Sequence, residues 1–393
     1  MLSLIGRNKP LFIEDIEKNS KILQEIIQNN RFLVLGAAGS IGQALVKEIF
    51  NRNPKKLHLV DISENNLVEI VRDLRSTKGY IDGDFKTYAL DIGSIEFDCY
   101  MKNSGGFDYV FNFSALKHVR SESDQFTLMR MIKTNILNTL KSINQSIELN
   151  VTKYFCVSTD KAANPVNMMG ASKRIMEMFL IQNSNKIDIS TARFANVAFS
   201  DGSLLHGFNQ RLNKKQPIAA PSDVKRYFVT PKEAGELCLI SGLLGKNKDI
   251  FFPKLSSDLN LISFDRIAQK YLKSLGYEPY ICQSEDEARE KVLSLVSQKK
   301  WPCYFFSSDT TGEKDFEEFF TPDEDLDLDR FLNIGVVKNS LDIDESKLKT
   351  FLNEINQMLL DKEWKKSDIV NLFNLLIDNF SYTDKNKFLD EKM

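Results

Sequence analysis

The sequence has few cysteines, no long apolar run and no excess of either charge. Its five cysteines are scattered among 393 residues without a Cys-x-x-Cys pair, which predicts neither a disulfide framework nor a metal site and favours a reduced, cytoplasmic location. No run of about 18 apolar residues is present, so no membrane span is expected. Lysine and arginine total 52 against 54 acidic residues, which argues against a protein that binds nucleic acid through a basic surface.

What the sequence does contain is an alternation of short β-rich runs with helix-length segments. Apolar strands such as Phe-Leu-Val-Leu predict a parallel sheet covered by helices on both faces. We therefore expect an α/β fold with a Rossmann-type doubly wound parallel sheet. The predicted strands are Arg31–Leu35, Leu57–Asp61, Phe85–Leu90, Tyr109–Phe113, Lys153–Val157 and Ile187–Arg193. The predicted helices between them are Ile41–Arg52, Asn66–Ser76, Leu128–Leu149 and Gly170–Asn183.

A glycine-rich segment joins the first predicted strand to the first predicted helix. Gly36 would permit a tight turn, Gly39 would let backbone approach a pyrophosphate, and Gly42 would let helix pack closely on strand. The N-terminus of the helix would then present its N–H groups to the phosphates. This arrangement predicts a dinucleotide site.

Acidic residues follow the next two predicted strands. Asp61 is placed to accept a hydrogen bond from a ribose 2′-hydroxyl and to repel a 2′-phosphate, which favours NAD over NADP. Asp91 lies where it could meet the adenine. Further cofactor contacts are expected from Ala38, Ser40, Ile41 and Ile92.

The chain divides into four predicted regions. Residues 1–30 form an amphipathic helical extension with no secretory signal, and residues 31–195 form the NAD-binding domain. Residues 196–340 form a smaller substrate-binding lobe, in which the acidic stretch 322–329 is expected to be a solvated loop. Residues 341–393 form a helical tail with two helices, which either packs within the chain or contributes to a homo-oligomer.

The Gly-x-x-Gly-x-x-Gly spacing resembles that of extended short-chain dehydrogenases/reductases, and so does the segment 112–119. The resemblance implies that Ser114 and Ala115 run beside the nicotinamide ribose. It also implies that Lys117 contacts the cofactor, and that Lys117 and His118 reach the phosphate side of a substrate. A packing role for His118 is equally open.

The catalytic region of that family carries a Ser or Thr, then Tyr-x-x-x-Lys on the following helix. Here Thr159, Asp160 and Lys161 follow a strand, and Lys173 matches the family lysine, which implies that it binds the nicotinamide ribose. Met169 stands in the tyrosine position, four residues before Lys173 and on the same helical face. Because a thioether cannot exchange a proton, either the chain is a non-catalytic binder or other groups replace the tyrosine.

Taken together, these residues resemble the UDP-N-acetylglucosamine 4,6-dehydratases of bacterial surface-polysaccharide and legionaminic-type acid synthesis, some of which also carry methionine there. The resemblance covers roughly residues 30 to 320 and includes the segment Gly312-Glu313-Lys314. It implies that the sugar and diphosphate of UDP-N-acetylglucosamine are bound by Asn196, Ser203 and Arg226.

The resemblance also implies a mechanism, in which NAD takes a hydride from carbon 4 of the sugar and returns it to carbon 6. Thr159 would assist the proton of the 4-hydroxyl, Lys161 would remove the proton on carbon 5, and Asp160 would protonate the departing 6-hydroxyl. The last two roles could be reversed or shared. Retention at carbon 5 is favoured by the legionaminic-type resemblance. The rival interpretations are a UDP-sugar 4-epimerase and a non-catalytic NAD-binding sensor.

Overall fold

The computed structural model describes residues 1–254, 261–308, 317–338, 343–378, 380 and 382. The strands are β1 Arg31–Leu35, β2 Lys56–Asp61, β3 Asp84–Ala89, β4 Tyr109–Asn112, β5 Lys153–Val157, β6 Asp188–Ala192, β7 Asn196–Val197, β8 Ile218–Pro221, β9 Lys225–Arg226, β10 Phe228–Val229, β11 Asp249–Pro253, β12 Ile262–Ser263, β13 Glu278–Cys282, β14 Lys300–Phe306, β15 Asp325–Asp327 and β16 Ile334–Lys338.

The α-helices are α1 Ile13–Asn29, α2 Ser40–Phe50, α3 Glu64–Lys78, α4 Ile95–Asn103, α5 Gln125–Ile132, α6 Asn138–Glu148, α7 Met168–Asn183, α8 Leu204–Asn213, α9 Pro231–Leu244, α10 Phe264–Ser274, α11 Glu285–Glu290, α12 Val292–Ser297, α13 Glu345–Asp361 and α14 Lys366–Leu376. A π-helical turn, Lys133–Leu137, joins α5 to α6. Short 3₁₀ turns cover Leu2–Ile5, Val119–Glu122 and Asp160–Ala162.

A large sheet of nine strands organises the described part of the chain, in the order β15-β16-β11-β6-β5-β4-β1-β2-β3. All pairs from β3 to β11 are parallel, and β16 and β15 add an antiparallel edge. The strand order reverses between β1 and β4, where doubly wound sheets bind ligands at the carboxyl ends of their strands. The predicted fold class is confirmed, and each of the six predicted strands is present with ends within one residue of the prediction.

Consecutive side chains of a strand point to opposite faces of the sheet. Here apolar side chains point to both faces, and helices cover each of them. In β1, Phe32 and Val34 join an apolar cluster with residues of α1, α2, α3 and α9. Leu33 and Leu35 join a second cluster with residues of α4, α6 and α7. The carboxyl end of β1 is therefore supported by apolar packing on both faces of the sheet.

A smaller lobe contains the parallel sheet β13-β14-β8 and the helices α8 and α10, around the buried side chain of Trp301. The sequence division assigned all of residues 196–340 to this lobe. Hydrogen bonding instead places β11, β15 and β16 in the large sheet, so this region is shared between the sheet and the lobe.

The N-terminal extension is less helical than expected, because α1 begins only at Ile13. The irregular residues before it are held by a buried ion pair, in which Arg7 Nη1 donates to Glu233 Oε1 of α9 over 2.7 Å. Asp15 of α1 accepts from the backbone N–H groups of Leu332 and Asn333, over 2.7 and 2.8 Å. The extension therefore packs within the chain.

The acidic stretch 322–329 is only partly the solvated loop that was expected, since five of its residues are exposed. It contains β15, which pairs with β16. The side chain of Glu324 is only 6% exposed, and both of its carboxylate oxygens accept from Arg193 over 2.9 Å. The prediction was wrong for Glu324, because a fully buried guanidinium requires counter-charges and acidic composition alone does not reveal that partner.

The tail helices α13 and α14 also pack within the chain. Their apolar residues form one buried cluster with residues of α5, the π-helical turn and α7. Trp364, between the two helices, donates its indole N–H to the carbonyl of Gln125 over 3.0 Å. Homo-oligomerisation stays a prediction. None of the described helices meets the length and hydropathy that a membrane crossing requires.

We predict that Phe373→Ala lowers the free energy of unfolding by about 3–5 kcal/mol, as for other buried aromatics. Phe373 is fully buried against the tail cluster, and its ring meets that of Phe351 at 5.6 Å between centroids. Urea denaturation measures the change. Leu375→Ala on the same helix is the matched control. Because Leu375 is 61% exposed, its substitution should change the free energy of unfolding by no more than about 0.5 kcal/mol. Equal, small effects of both variants would show that the tail is not docked in solution.

Candidate active site

The glycine-rich turn, which the sequence predicts to bind a dinucleotide, joins β1 to α2. Gly36 has φ of 68°, and a Cβ there would lie 2.7 Å from the backbone N of Ser114. A Cβ on Gly42 would lie 2.3 Å from the carbonyl oxygen of Gly36. Gly39, by contrast, is exposed, and a Cβ there would meet nothing nearer than 3.6 Å. The protein's own atoms thus require glycine at 36 and 42, whereas glycine at 39 leaves room for a ligand at the start of α2.

The predicted acidic residues lie at the same edge of the sheet. Asp61, at the end of β2, accepts from the backbone N–H of Ala38 and of Ser63, each over 2.9 Å. Its carboxylate is therefore held against the glycine turn. Asp91 lies two residues beyond the end of β3, is exposed, and accepts from the Gly93 N–H over 2.8 Å, while Ile92 is buried. Ser40 and Ile41 form the first turn of α2.

The loop after β4 carries Ser114 and Ala115 and is tied down by a residue that the sequence analysis missed. Asn135, fully buried in the π-helical turn, accepts from the Leu116 N–H over 2.9 Å and donates to its carbonyl over 3.0 Å. The same amide donates to the Ser172 hydroxyl of α7 over 3.0 Å. Asn135 thereby connects the predicted nicotinamide loop to the helix that carries Lys173.

Three of the predicted catalytic residues form a continuous hydrogen-bonded group after β5. Thr159 Oγ1 donates to Asp160 Oδ1 over 2.7 Å, and Lys161 Nζ lies 3.2 Å from both oxygens of the Asp160 carboxyl. Asp160 is buried, and its backbone N–H donates to the Phe194 carbonyl over 3.2 Å, just beyond β6. Lys161 and Thr159 are partly exposed. A ligand could therefore reach the group through Thr159 and Lys161.

The other two predicted catalytic residues lie on α7. Lys173 is buried, and its Nζ donates to the Val157 carbonyl at the end of β5 over 3.1 Å. Burial lowers the pKa of Lys173, against the opposing effect of Cys156 and Glu177. Met169 belongs to the buried apolar cluster beneath the tail. A side chain that cannot exchange a proton suits that position.

A buried ionic network holds α7 against the sheet. Glu177 of α7 accepts from the Ser158 hydroxyl over 2.6 Å and from two nitrogens of Arg193 over 3.0 and 2.8 Å. Arg193 also pairs with Glu324. Burial by itself would raise the pKa of Glu177, but the charge and hydrogen bonds of Arg193 lower it below its usual value. Arg193 is therefore structural, and it is connected through Glu177 to Ser158, the residue before Thr159.

The predicted phosphate-side residues meet a loop of the smaller lobe. Lys117 Nζ donates to the Asp201 carbonyl over 2.7 Å. The Asp201 N–H donates to Ser40 Oγ at the start of α2 over 2.8 Å. A Cβ on Gly202 would lie 2.8 Å from His118 Nε2, so this ring sits directly against the loop. The loop thus links the dinucleotide end of the site to Lys117 and His118.

Asn196 and Arg226 come together around a carboxylate that the sequence analysis missed. Glu317 Oε1 accepts a short hydrogen bond from Asn196 Nδ2 and lies 3.7 Å from Arg226 Nε, and Oε2 accepts from the Tyr227 N–H over 3.3 Å. Arg226 and Glu317 are both buried. Ser203, the third predicted substrate residue, caps α8 by accepting from the N–H of residue 206 over 3.2 Å.

The surroundings of Glu317 change its acidity. Burial and the nearby charge of Asp160 raise the pKa of Glu317 to about 7, against the opposing effect of Arg226 and Lys161. Its only signal in the sequence is its position shortly after Gly312-Glu313-Lys314, a segment that lies outside the described residues. Within the described ranges, no group of three or more His, Cys, Asp or Glu could hold a metal ion.

Comparison with known sequences gives matches over most of the chain. The family model described as polysaccharide biosynthesis protein matches residues 32–338. The uncharacterized membrane protein MJ1061 of Methanocaldococcus jannaschii is 30% identical over 350 residues, which is 86% of this chain and 99% of the relative. The capsular polysaccharide biosynthesis protein CapD of Staphylococcus aureus is 29% identical over 70% of this chain, which spans only 46% of CapD.

Solved structures share the fold. Pen from Bacillus thuringiensis has a TM-score of 0.65 at 20% identity, covering 86% of this chain and 98% of Pen. DesIV from Streptomyces venezuelae, a dTDP-glucose 4,6-dehydratase solved with NAD, has a TM-score of 0.56 at 15% identity over 74% of this chain and 88% of its own. A UDP-N-acetylglucosamine 4-epimerase from Methanobrevibacter ruminantium has a TM-score of 0.56 at 16% identity. The match covers 86% of this chain and 100% of the epimerase.

The family model covers the large sheet, the glycine turn, the group after β5 and the Asn196–Arg226 region together. The MJ1061 match extends over nearly the whole of that relative. The chain therefore belongs to the polysaccharide biosynthesis protein family.

Proposed function

We propose that this protein is a UDP-N-acetylglucosamine 4,6-dehydratase that uses bound NAD, a lyase for bacterial surface-glycan or nonulosonic acid synthesis. The observation that carries the proposal is the hydrogen-bonded group of Thr159, Asp160 and Lys161 at the carboxyl edge of the parallel sheet. Ionisable groups gathered there, next to a dinucleotide turn, supply the acid and base that an elimination needs beyond a redox step.

The residues at the β1–α2 turn fit NAD. The space at Gly39, the N-terminus of α2 and the carboxylate of Asp61 match a pyrophosphate and an adenosine ribose. Lys173 would hold the nicotinamide ribose. DesIV, with the same fold, is a 4,6-dehydratase solved with NAD. When bound, the nicotinamide supplies a hydride acceptor for carbon 4 and a hydride donor for carbon 6 of the sugar.

The protons of the reaction would be moved by the group after β5. Thr159 Oγ1 accepts the proton of the 4-hydroxyl and passes its own to Asp160, over a bond that is already formed at 2.7 Å. Lys161 takes the proton on carbon 5, which the new ketone has made acidic, and Asp160 protonates the departing 6-hydroxyl. Two protons leave the sugar, one departs with the water and one returns to carbon 5, so the group ends each turnover unchanged.

Binding of the nucleotide sugar would fall to residues of the smaller lobe and of the loop after β4. Arg226 offers a planar guanidinium that suits phosphate oxygens, and Asn196 offers an amide for a sugar hydroxyl or the acetamido group. Lys117 and His118, at the loop that reaches the start of α2, lie on the phosphate side. The expected cytoplasmic location, the homo-oligomeric state and retention at carbon 5 belong to the same proposal.

A UDP-sugar 4-epimerase is the second candidate, because a 4-epimerase shares the fold over its full length. An epimerase does not need an acid and a base for elimination, so the Asp160–Lys161 pair favours the dehydratase. Product analysis separates the two activities, because only dehydration changes the mass of the sugar.

We predict that incubation with UDP-N-acetylglucosamine and no added reductant gives a product lighter by one water, measured by mass spectrometry. In deuterated water, carbon 5 of the product should carry deuterium, because its proton is removed and replaced. A product without deuterium at carbon 5 would refute the elimination, and an unchanged mass with an inverted carbon 4 in the NMR spectrum would identify the epimerase. Binding of NAD with neither turnover nor sugar binding would identify a sensor.

We predict that Lys161→Met and Asp160→Asn each lower kcat by about 10²- to 10⁴-fold, the usual effect of removing an acid or base. Steady-state formation of the dehydrated product measures the loss, and deuterium incorporation at carbon 5 should slow in the same proportion as product formation. The matched control is Lys186→Met, an exposed lysine after α7, which should leave kcat unchanged. Full activity of Lys161→Met would show that Lys161 does not act as the base for carbon 5.

We predict that the protein binds NAD at least about tenfold more tightly than NADP, because the Asp61 carboxylate would face a 2′-phosphate. Titration of the cofactor-free protein with each nucleotide measures the ratio. Asp61→Asn removes the charge while keeping an oxygen acceptor, and should bring the ratio toward one. Equal affinities in the unsubstituted protein would show that Asp61 does not select the cofactor.

A further inference from the structure

We propose that Glu317 takes up a proton when the diphosphate of the nucleotide sugar binds, which frees the positive charge of Arg226 for the phosphates. The inference rests on the proposed function, because it takes Arg226 as the diphosphate-binding residue. It assigns Glu317 as a positioning residue that acts through Arg226 and Asn196.

The geometry places one buried carboxylate between both predicted substrate residues. Glu317 contacts Asn196 through Oε1, lies 3.7 Å from Arg226 Nε through the same oxygen, and accepts from the Tyr227 N–H through Oε2. In the free protein the carboxylate thus partly neutralises the guanidinium. A diphosphate that binds Arg226 must compete with this internal anion.

Among the residues that the structure describes, the charges that act on Glu317 come from two elements. Asp160 and Lys161 belong to the 3₁₀ turn after β5, and Arg226 belongs to β9. Burial and Asp160 favour the protonated carboxyl, Arg226 and Lys161 oppose it, and the resulting pKa is about 7. The carboxyl is therefore poised to take up a proton near neutral pH.

A bound diphosphate changes this balance in one direction. Its negative charge lies close to Arg226 and therefore close to Glu317, which disfavours the ionised carboxyl and raises its pKa further. Binding must then be accompanied by proton uptake at pH values above 7. By linkage, the affinity for the nucleotide sugar falls as the pH rises through this range.

Calorimetric titration of the NADH-loaded protein with UDP-N-acetylglucosamine at pH 8 tests the proposal, because the reduced cofactor cannot accept a hydride and the ligand binds without turnover. Measuring the heat in two buffers of different ionisation enthalpy gives the number of protons taken up. The diphosphate of this ligand is esterified at both ends and does not itself titrate near neutrality. We expect a substantial fraction of one proton, and a Kd that weakens on the order of tenfold between pH 7 and pH 9.

Glu317→Gln isolates the source of the proton, since glutamine keeps the size of the side chain without its charge. We expect no proton uptake, a flat pH profile and, at pH 9, tighter binding than in the unsubstituted protein. A merely structural carboxylate would give weaker binding of the variant at every pH. Glu318→Gln, at the neighbouring residue, is the matched control and should keep the proton uptake.

The outcomes separate this inference from the proposed function. Binding without proton uptake in the unsubstituted protein, or the same uptake in Glu317→Gln, would overturn the role of Glu317 while leaving the dehydratase in place. Absence of any binding of UDP-N-acetylglucosamine would overturn both. Because the first measurement uses the unsubstituted protein, the test does not depend on the stability of a variant.

Discussion

The fully buried guanidinium of Arg193 is the constraint on which the site depends. A charge without solvent must be paired, and here the pairs are Glu177 on α7 and Glu324 just before β15. Through Glu177 the network also reaches Ser158, the residue before Thr159. One cation therefore fixes the helix that carries Lys173, the end of β5 and the antiparallel edge of the sheet. Removal of one partner would leave a buried charge unpaired, so these elements keep their positions together.

The sheet could be predicted because its strands are apolar on both faces and its helices have a regular period. The strands β1 to β6 follow from those local patterns. The positions of β11, β15 and β16 do not, because the chain leaves the large sheet after β6, builds part of the smaller lobe and then returns. Local pattern gives the type of an element but not the partner with which it forms hydrogen bonds. The irregular chain before α1 escaped prediction for the same reason, since it depends on the distant partner Glu233.

The parts of the candidate site that lie on short segments next to strand ends could be predicted from the sequence. The glycine turn and the group Thr159-Asp160-Lys161 lie on short segments next to strand ends, and parallel strands bring those ends to one edge. Asn135 and Glu317 were missed because their partners are distant in sequence. Asn135 depends on a π-helical turn, and Glu317 reaches Asn196 across 121 residues. Met169 was recognised as a departure from the family tyrosine, but its burial under the tail depends on helices that lie far beyond it.

That burial has a consequence for how the protein is made. The helix α7 carries residues of the site on one side and lies beneath the tail helices on another. During synthesis the strands of the nucleotide-binding half leave the ribosome long before α13 and α14, and domains tend to fold as they emerge. Until the tail arrives, the outer apolar side of α7 has no cover and is open to chaperones or to association with other nascent chains. The tail, which lies outside the family model, would thus determine when α7 becomes protected from aggregation.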